Sequence, residues 1–299
     1  MSETVTNKFN LPAPVMDMIG KNDYTQGPTD VNVTSFIAPP QVTSLKRKHR
    51  KDIVVDASDL FYAAWGNTIH TVLEGYGERN PDAIVEEFLH TKDLGVKWGG
   101  HIDLREPSSE GHIISDYKQT GAFKVKKAIE GFDDSDWECQ LNCYAQLVRR
   151  NHPDIKIAGI QVVAWVRDWS KIKAAGNPTY PQAGVVTVPL RMWPEEEAVA
   201  YIRWRLSLWQ EQRMDFGDPS IPCTDEERWK KPDEWRVVFT ASGKTKRVFD
   251  NEEMAKELVA SEKNGAEKFD ITFTAGLPTR CTYFCEAAPY CTQFQGEQL

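Results

Sequence analysis

Two carboxylates and a lysine are spaced in this 299-residue sequence so that they could share one pocket. Gly100-His101-Ile102-Asp103 and Ser115-Asp116-Tyr117-Lys118 flank the turn-forming stretch Pro107-Ser108-Ser109, so the two segments read as arms of a hairpin that brings Asp103 towards Asp116. Because side chains alternate along a strand, Asp116 and Lys118 fall on one face and Tyr117 on the other. Two carboxylates held close repel each other unless a hard cation lies between them, and Mg²⁺ takes one or two carboxylates while keeping waters for a substrate phosphate. Such an ion would activate a water and offset charge building on a phosphate under attack, with the Lys118 ammonium orienting that water or stabilising the transition state. His70 follows Gly66 by one helical turn, and the missing side chain leaves room beside the imidazole for a metal or a neighbouring strand. Gln140 and Tyr144, four residues apart, project from one helix face, where an amide and a phenol could contact a phosphate or a base. Each signal taken singly has an ordinary packing explanation, and it is their joint order that points to chemistry.

The elements that must position these groups follow from periodicity. From Ser58 the apolar set Phe61, Trp65, Ile69, Val72 and Leu73 recurs at helical spacing, with Asp56 or Ser58 to cap the start and Gly75 and Gly77 to end it. Segments 83–90, 95–104 and 111–118, separated by Lys92-Asp93 and Pro107-Ser108-Ser109, predict a strand meander that begins a sheet antiparallel. A second helix is predicted over 135–150, with Ser135 and Glu138 as a capping box. Strands over 157–168 and 185–190 follow, and then a helix over 195–212 that Pro194 opens. Residues 1–40, polar and without sustained period, read as an extended or disordered arm, and 41–220 as the core. Residues 221–299 read as a C-terminal strand-helix-strand appendage, with strands near 234–240 and 269–274 and a helix near 251–261.

Composition bounds the partners. Forty per cent hydrophobic residues at this length suffice for a packed core, and no stretch approaches the ~20 apolar residues a membrane span needs. With no leader pattern at the start, a cytoplasmic, non-membrane protein is expected. A net charge of −8 disfavours non-specific coating of nucleic acid but leaves room for a local basic groove around an acidic centre. Lys46-Arg47-Lys48-His49-Arg50-Lys51 is the dense basic block, either a phosphate contact or a solvated face. Arg203, Trp204 and Arg205 on the third helix are a groove candidate, and Glu86 and Glu87 on the first strand are reserve acids.

Gly66-x-x-x-His70, Gly100-x-x-Asp103, Asp116-x-Lys118 and Gln140-x-x-x-Tyr144 together resemble the motif series of RecB-type PD-(D/E)XK nucleases over roughly residues 58–150. The resemblance implies an α/β fold, a restriction-endonuclease-like core with a central mixed β-sheet flanked by helices. It implies hydrolysis of DNA phosphodiesters with Mg²⁺ or Mn²⁺, and a catalytic set of His70, Asp103, Asp116 and Lys118. Metal ligands would be His70, Asp103, Asp116 and the Tyr117 backbone carbonyl, and Gln140 and Tyr144 would contact DNA. The expected substrate is single- or double-stranded DNA ends in recombination, repair or end processing, with a helicase or single-strand annealing protein as partner, in a bacterial cytoplasm, whether encoded by the host or by a phage. An endonuclease of the same fold and a non-catalytic DNA-binding or scaffold module with structural zinc are the alternatives.

Six cysteines in a chain without a secretion signal argue for thiolate ligation or burial rather than disulfides. Cys223, Cys281, Cys285 and Cys291 resemble the one-plus-three set of the CRISPR-associated exonuclease and AddB-like subgroup, which implies a 4Fe-4S cluster; four thiolates also suit structural Zn²⁺. Three residues separate Cys281 from Cys285, where that subgroup has two. Cys139 and Cys143 sit on a helix that needs an apolar face and are assigned to packing.

Overall fold

The computed structural model describes residues 4–20, 27–131, 136–214 and 221–296. The chain divides into two compact units, Met1–Ile221 and Pro222–Leu299.

In the first unit the elements are β1 (Thr4–Thr6), α1 (Ala13–Gly20), β2 (Val31–Asn32), α2 (Val33–Ile37), α3 (Pro40–Lys48), β3 (Val54–Asp56) and α4 (Ala57–Arg79). They continue as β4 (Ile84–Asp93), β5 (Val96–Ser108), β6 (Gly111–Thr120), α5 (Ala122–Ile129), α6 (Asp136–Asn151), β7 (Ile157–Val166), α7 (Lys171–Gly176), β8 (Val185–Leu190) and α8 (Glu195–Met214). The central sheet is mixed: β4, β5 and β6 pair antiparallel in turn, β6 and β7 run parallel, and β7 and β8 antiparallel. This is an α/β fold with a central mixed sheet flanked by helices. Ile114, Val162 and Ala164 of the sheet pack with Leu141, Leu147 and Val148 of α6 and Ile202 and Leu206 of α8 in the main core. On the other face Ile69 and Leu73 of α4 pack against Leu104, with Tyr117 and Trp165 alongside.

The expected N-terminal arm is instead built into this unit. Thr4–Thr6 pair parallel with Val54–Asp56, and Val31 and Asn32 pair parallel with Trp98 and Gly99 of β5. Val31, Val33 and Phe36 are buried in the main core, the Phe36 ring edge-on to Trp98 at 5.6 Å. Three apolar side chains at short spacing are enough to anchor a segment whose overall polarity hides them. The first helix also differs in length: α4 continues through Gly75 and Gly77 to Arg79. A Cβ on Gly77 would lie 2.9 Å from Val85, so this glycine admits β4 rather than ending the helix. Asp56 is its N-cap, accepting the Ser58 N–H. The β4–β5 turn falls on Leu94-Gly95, both at positive φ, while Lys92 and Asp93 remain in the strand. Of the expected capping pair on α6, Ser135 lies outside the described residues.

The second unit holds a three-stranded antiparallel sheet in the order β10 (Thr245–Phe249), β9 (Glu234–Phe239), β11 (Phe269–Thr274), covered by α9 (Glu252–Ser261). Val237, Phe249, Ala255 and Phe269 form its core. Thr245–Phe249 is an additional strand beyond the expected strand-helix-strand, since Lys244, Lys246 and Arg247 obscure its alternation. Among the described residues no helix is long and apolar enough to cross a membrane.

Candidate active site

The site forms where two strands part. β5 and β6 pair from Ser108 opposite Gly111 to Leu104 opposite Ser115, and Asp103 and Asp116 are the next residues beyond that ladder. The freed space is used by side chains: the Tyr117 N–H donates to Asp103 Oδ2 at 2.7 Å.

Strict alternation also fails at Asp103. Ile102 packs in the core with α6, whereas Leu104 packs against α4 on the opposite face. Across the ladder on β4 the register runs Val85 to Leu104 and then Glu87 to Ile102, skipping Glu86, whose φ is +52°. A non-glycine residue at positive φ is disfavoured by contact of Cβ with the backbone and persists only when its surroundings hold it. The result is that Glu86 turns towards α4, where its Oε1 lies 2.5 Å from His70 Nδ1. Among the described residues His70, Glu86 and Asp103 are the one group of three or more His, Cys, Asp or Glu whose ligand atoms all lie within 4.8 Å of one another.

Asp116 and Lys118 share the α6 side of β6, as alternation requires. The Lys118 ammonium lies 2.8 Å from Asp116 Oδ2 and donates to Oδ1 at 3.1 Å. Gln140 Nε2 donates to the same Oδ1 at 3.2 Å and to the Tyr144 hydroxyl oxygen at 2.9 Å. Gln140 and Tyr144 are both buried, so they brace the Asp116 carboxylate from beneath instead of presenting an amide and a phenol to DNA. Their helical spacing is compatible with either role, and burial on the sheet decides it. Gly100 makes the fit possible: a Cβ there would lie 2.8 Å from the Tyr144 ring.

Electrostatics mark the same gap. Burial, and then the charge of nearby Asp116, push the Asp103 carboxyl up to about 7, against the opposing pull of Lys118, the Tyr117 N–H and His70. The hydrogen bond to Glu86 raises His70 despite burial, with Asp103 and Glu86 adding their charge. Burial works against the Lys118 charge, yet Asp116 and Asp103 hold it above the ordinary lysine range. A buried acid that cannot easily ionise beside a second acid, with an imidazole and a third carboxylate in reach, is a donor set that fits a divalent cation. The imidazole suits Mn²⁺ better than Mg²⁺, which prefers an all-oxygen shell.

Four of the sequence-derived positions thus lie around one gap, in two sets: His70 with Asp103, and Asp116 with Lys118. The donor group gains a member. Glu86, a reserve acid by sequence, stands in the closest donor group, and Asp116 lies outside it with its oxygens held by Lys118 and Gln140. The Tyr117 N–H is committed to Asp103. Glu87 is structural, gripping buried Arg105 through both oxygens and accepting from His152. Alternation parts Glu86 from Glu87 but does not say which of them meets His70, because the positive φ at Glu86 is a property of the assembled sheet. A Cβ on Gly66 meets nothing within 4 Å, so the helix leaves open space one turn before His70.

The groove candidate loses Arg205. Arg205 is buried, and its guanidinium donates to the carbonyls of Phe36, Ile37 and Ala38, fastening α8 to the end of α2. Arg203 and Trp204 are exposed. Cys143 is buried in the main core and Cys139 half-buried near Tyr201, with both thiols pushed up mainly by burial.

In the second unit the Cys223 thiol is pushed up to about 12, by burial first, then by Glu227 and by Cys291 and Cys281 nearby. Gln293 holds the Cys223 backbone from both sides, accepting its N–H at 3.0 Å and donating to its carbonyl at 2.9 Å. No three of the four late thiols come within 4.8 Å of one another. In a tetrahedral zinc shell with Zn–S near 2.3 Å they would be about 3.8 Å apart.

Neither a protein-family model nor a curated protein matches the sequence. Among solved structures the chain is similar to SSO0001, at 14% identity and a TM-score of 0.42, over 72% of this chain and 89% of that one. It is also similar to a protein of Eubacterium rectale provisionally described as an exonuclease, at 13% identity and a TM-score of 0.30, over 55% of this chain and 58% of that one. Likenesses of this degree carry no argument about reaction or substrate.

Proposed function

We propose that this chain is a divalent-metal-dependent deoxyribonuclease of the PD-(D/E)XK type, acting as an exonuclease on DNA ends. The observation that supports the reading best is the gathering of His70, Glu86 and Asp103 beside the Asp116–Lys118 pair at the point where β5 and β6 part. His70, Glu86 and Asp103 would hold Mn²⁺ or Mg²⁺, with Asp116 adjacent, and the ion would supply Lewis acidity and an activated water.

The residues of the chain have separable tasks. Asp103, buried and hydrogen-bonded to the Tyr117 N–H, provides a fixed carboxylate whose proton must leave before a cation binds. Lys118, kept charged by both aspartates, can orient a water for in-line attack and offset negative charge on the scissile phosphate. Gln140 fixes Asp116, and Tyr144 fixes Gln140. Asp116→Asn should lower Mn²⁺-dependent release of nucleotides from end-labelled linear DNA by at least about 10²- to 10³-fold, with the circular dichroism spectrum unchanged. Unchanged hydrolysis by that variant overturns the reading. Equal cleavage of linear and covalently closed circular DNA converts the exonuclease into an endonuclease.

Cys223, Cys281, Cys285 and Cys291 are proposed to ligate a 4Fe-4S cluster joining the two ends of the second unit. Anaerobically purified protein should then be brown, and a colourless protein with one zinc per chain overturns this part alone.

A further inference from the structure

One face of α4 changes its surroundings along the helix. Tyr62, Gly66, Ile69 and Leu73 recur at intervals of three and four residues, so they form a single stripe. At its C-terminal end the stripe is core: Ile69 and Leu73 are buried and pack against Leu104, with Tyr117 and Trp165 alongside. At its N-terminal end it is open. A Cβ on Gly66 would meet nothing within 4 Å, and Tyr62 is 52% exposed. His70 follows Gly66 by one turn, so the open half of the stripe ends on the His70–Glu86–Asp103 group.

The open half is aromatic. The rings of Tyr62 and Trp65 lie 6.5 Å apart and 29° from parallel, and the Phe61 ring stands 5.5 Å from Tyr62 and 6.1 Å from Trp65. Trp65 is exposed as well, so the cluster is apolar surface that packing of the helix does not consume. Arg167, exposed just past the end of β7, sets its guanidinium 4.7 Å from the centre of the Tyr62 ring. That pairing is favourable in itself and places a cation at the mouth of the cleft. The Arg167 N–H donates to the Thr120 carbonyl at 2.9 Å, which fixes the residue where β6 also ends. Between Ala57 and His70 the one acid is Asp59, a turn before Tyr62 and away from His70.

We infer that this cleft binds the unpaired bases of a single DNA strand and leads its end to the metal-binding donors. Single-stranded DNA is then the substrate class of the proposed nuclease, and the inference rests on that reading of the acid centre. Every base has a π-face, and sites that hold single strands regardless of sequence combine aromatic side chains for the bases with positive charge for the backbone. A duplex keeps its base faces covered by neighbouring pairs and has none to offer. From Tyr62 to His70 the helix rises roughly 12 Å at about 1.5 Å per residue, which is about three steps of a stacked strand at ~3.4 Å each. Gly66 keeps the floor between them low. Arg167, over the Tyr62 ring, is placed to meet the phosphate beside a base stacked there.

The test is fluorescence anisotropy of the full chain in EDTA, where hydrolysis is silent, with a labelled short oligothymidylate and a blunt duplex of equal length as probes. The single strand should bind at least about tenfold more tightly than the duplex. Tyr62→Ala should weaken single-strand binding about tenfold, while Tyr62→Phe keeps the ring and stays within about twofold. Gly66→Leu fills the cleft at a position with room for a side chain and favours the helix. Its Tm should therefore not fall, while single-strand affinity drops at least about tenfold. Arg167→Ala should reduce the salt slope of binding by about one. Equal affinity for the two probes, no binding of the single strand, or affinity that neither Tyr62→Ala nor Gly66→Leu moves overturns the inference, including the case in which Tyr62→Ala changes only the oligomeric state. Because no hydrolysis is measured, that result leaves the acid centre standing. Conversely, hydrolysis unchanged by Asp116→Asn removes the nuclease while binding that follows Tyr62 and Gly66 keeps the single-strand site.

Discussion

Glu86 and Asp103 stand opposite each other on β4 and β5 at the one position the pairing register skips between Ile84 and Asp93. There Glu86 adopts φ +52° and reaches His70. Glu86→Gly should therefore be tolerated in the metal-free protein to within about 1 kcal/mol, because glycine accepts this backbone and offsets its own entropic penalty. Glu87→Gly, one residue on, strips buried Arg105 of its carboxylate and should cost about 3–5 kcal/mol. Urea unfolding of the two variants compares these directly. For Glu86→Gly, Mn²⁺ affinity should also drop by at least about 10- to 100-fold, the range that even outer-shell partners command. Equal loss of stability in both variants would show that the strain at Glu86 has no functional meaning.

The Asp103 carboxyl, raised to about 7 from its ordinary 3.8, keeps a proton in the folded chain that the unfolded chain has already lost. Stability contributed at this residue is therefore greatest in acid and falls as pH rises between those two values, levelling above about 7. His70 acts in the same direction: its raised value gives stability that is present below its unfolded titration and lost as pH passes its folded one. A divalent cation replaces both protons. The rise in Tm produced by Mn²⁺ should accordingly be larger at about pH 8 than at about pH 5.5, and binding should release protons that calorimetry in buffers of different ionisation enthalpy can count. A metal-induced shift that is the same at both pH values contradicts the assigned ligand set.

Gln140→Leu removes a donor from Asp116 while nearly preserving volume. As a positioning residue its loss should lower kcat by about 10- to 100-fold and leave KM for DNA unchanged. A rise in KM with kcat intact would instead mean that the amide contacts DNA directly.

The two glycines before His101 differ in what they abut. A Cβ at Gly100 would come within 2.8 Å of the Tyr144 ring, and one at Gly99 within 2.4 Å of the Leu89 carbonyl oxygen of β4. A ring can shift and a ladder carbonyl cannot, so Gly100→Ala should cost about 1–3 kcal/mol and Gly99→Ala more. Chemical denaturation of the pair tests the order, and the reverse order would mean that Tyr144 is the more rigidly held.

Much of this protein is written in short-range pattern. Turn formers and alternation placed three antiparallel strands, and helical period placed the elements bearing His70, Gln140 and Tyr144, because these signals act between residues a few positions apart. Strand alternation likewise put Asp116 and Lys118 together and Tyr117 apart. Three things were decided only on assembly. The N-terminal segment entered the core because Val31, Val33 and Phe36 fit against Trp98 and α6, a match between surfaces far apart in sequence. Gln140 and Tyr144 became supports for a carboxylate because their helix lies directly on the sheet. Glu86, not Glu87, joined His70 and Asp103 because the paired strands change faces at that point, and a change of face requires both strands and the helices on either side.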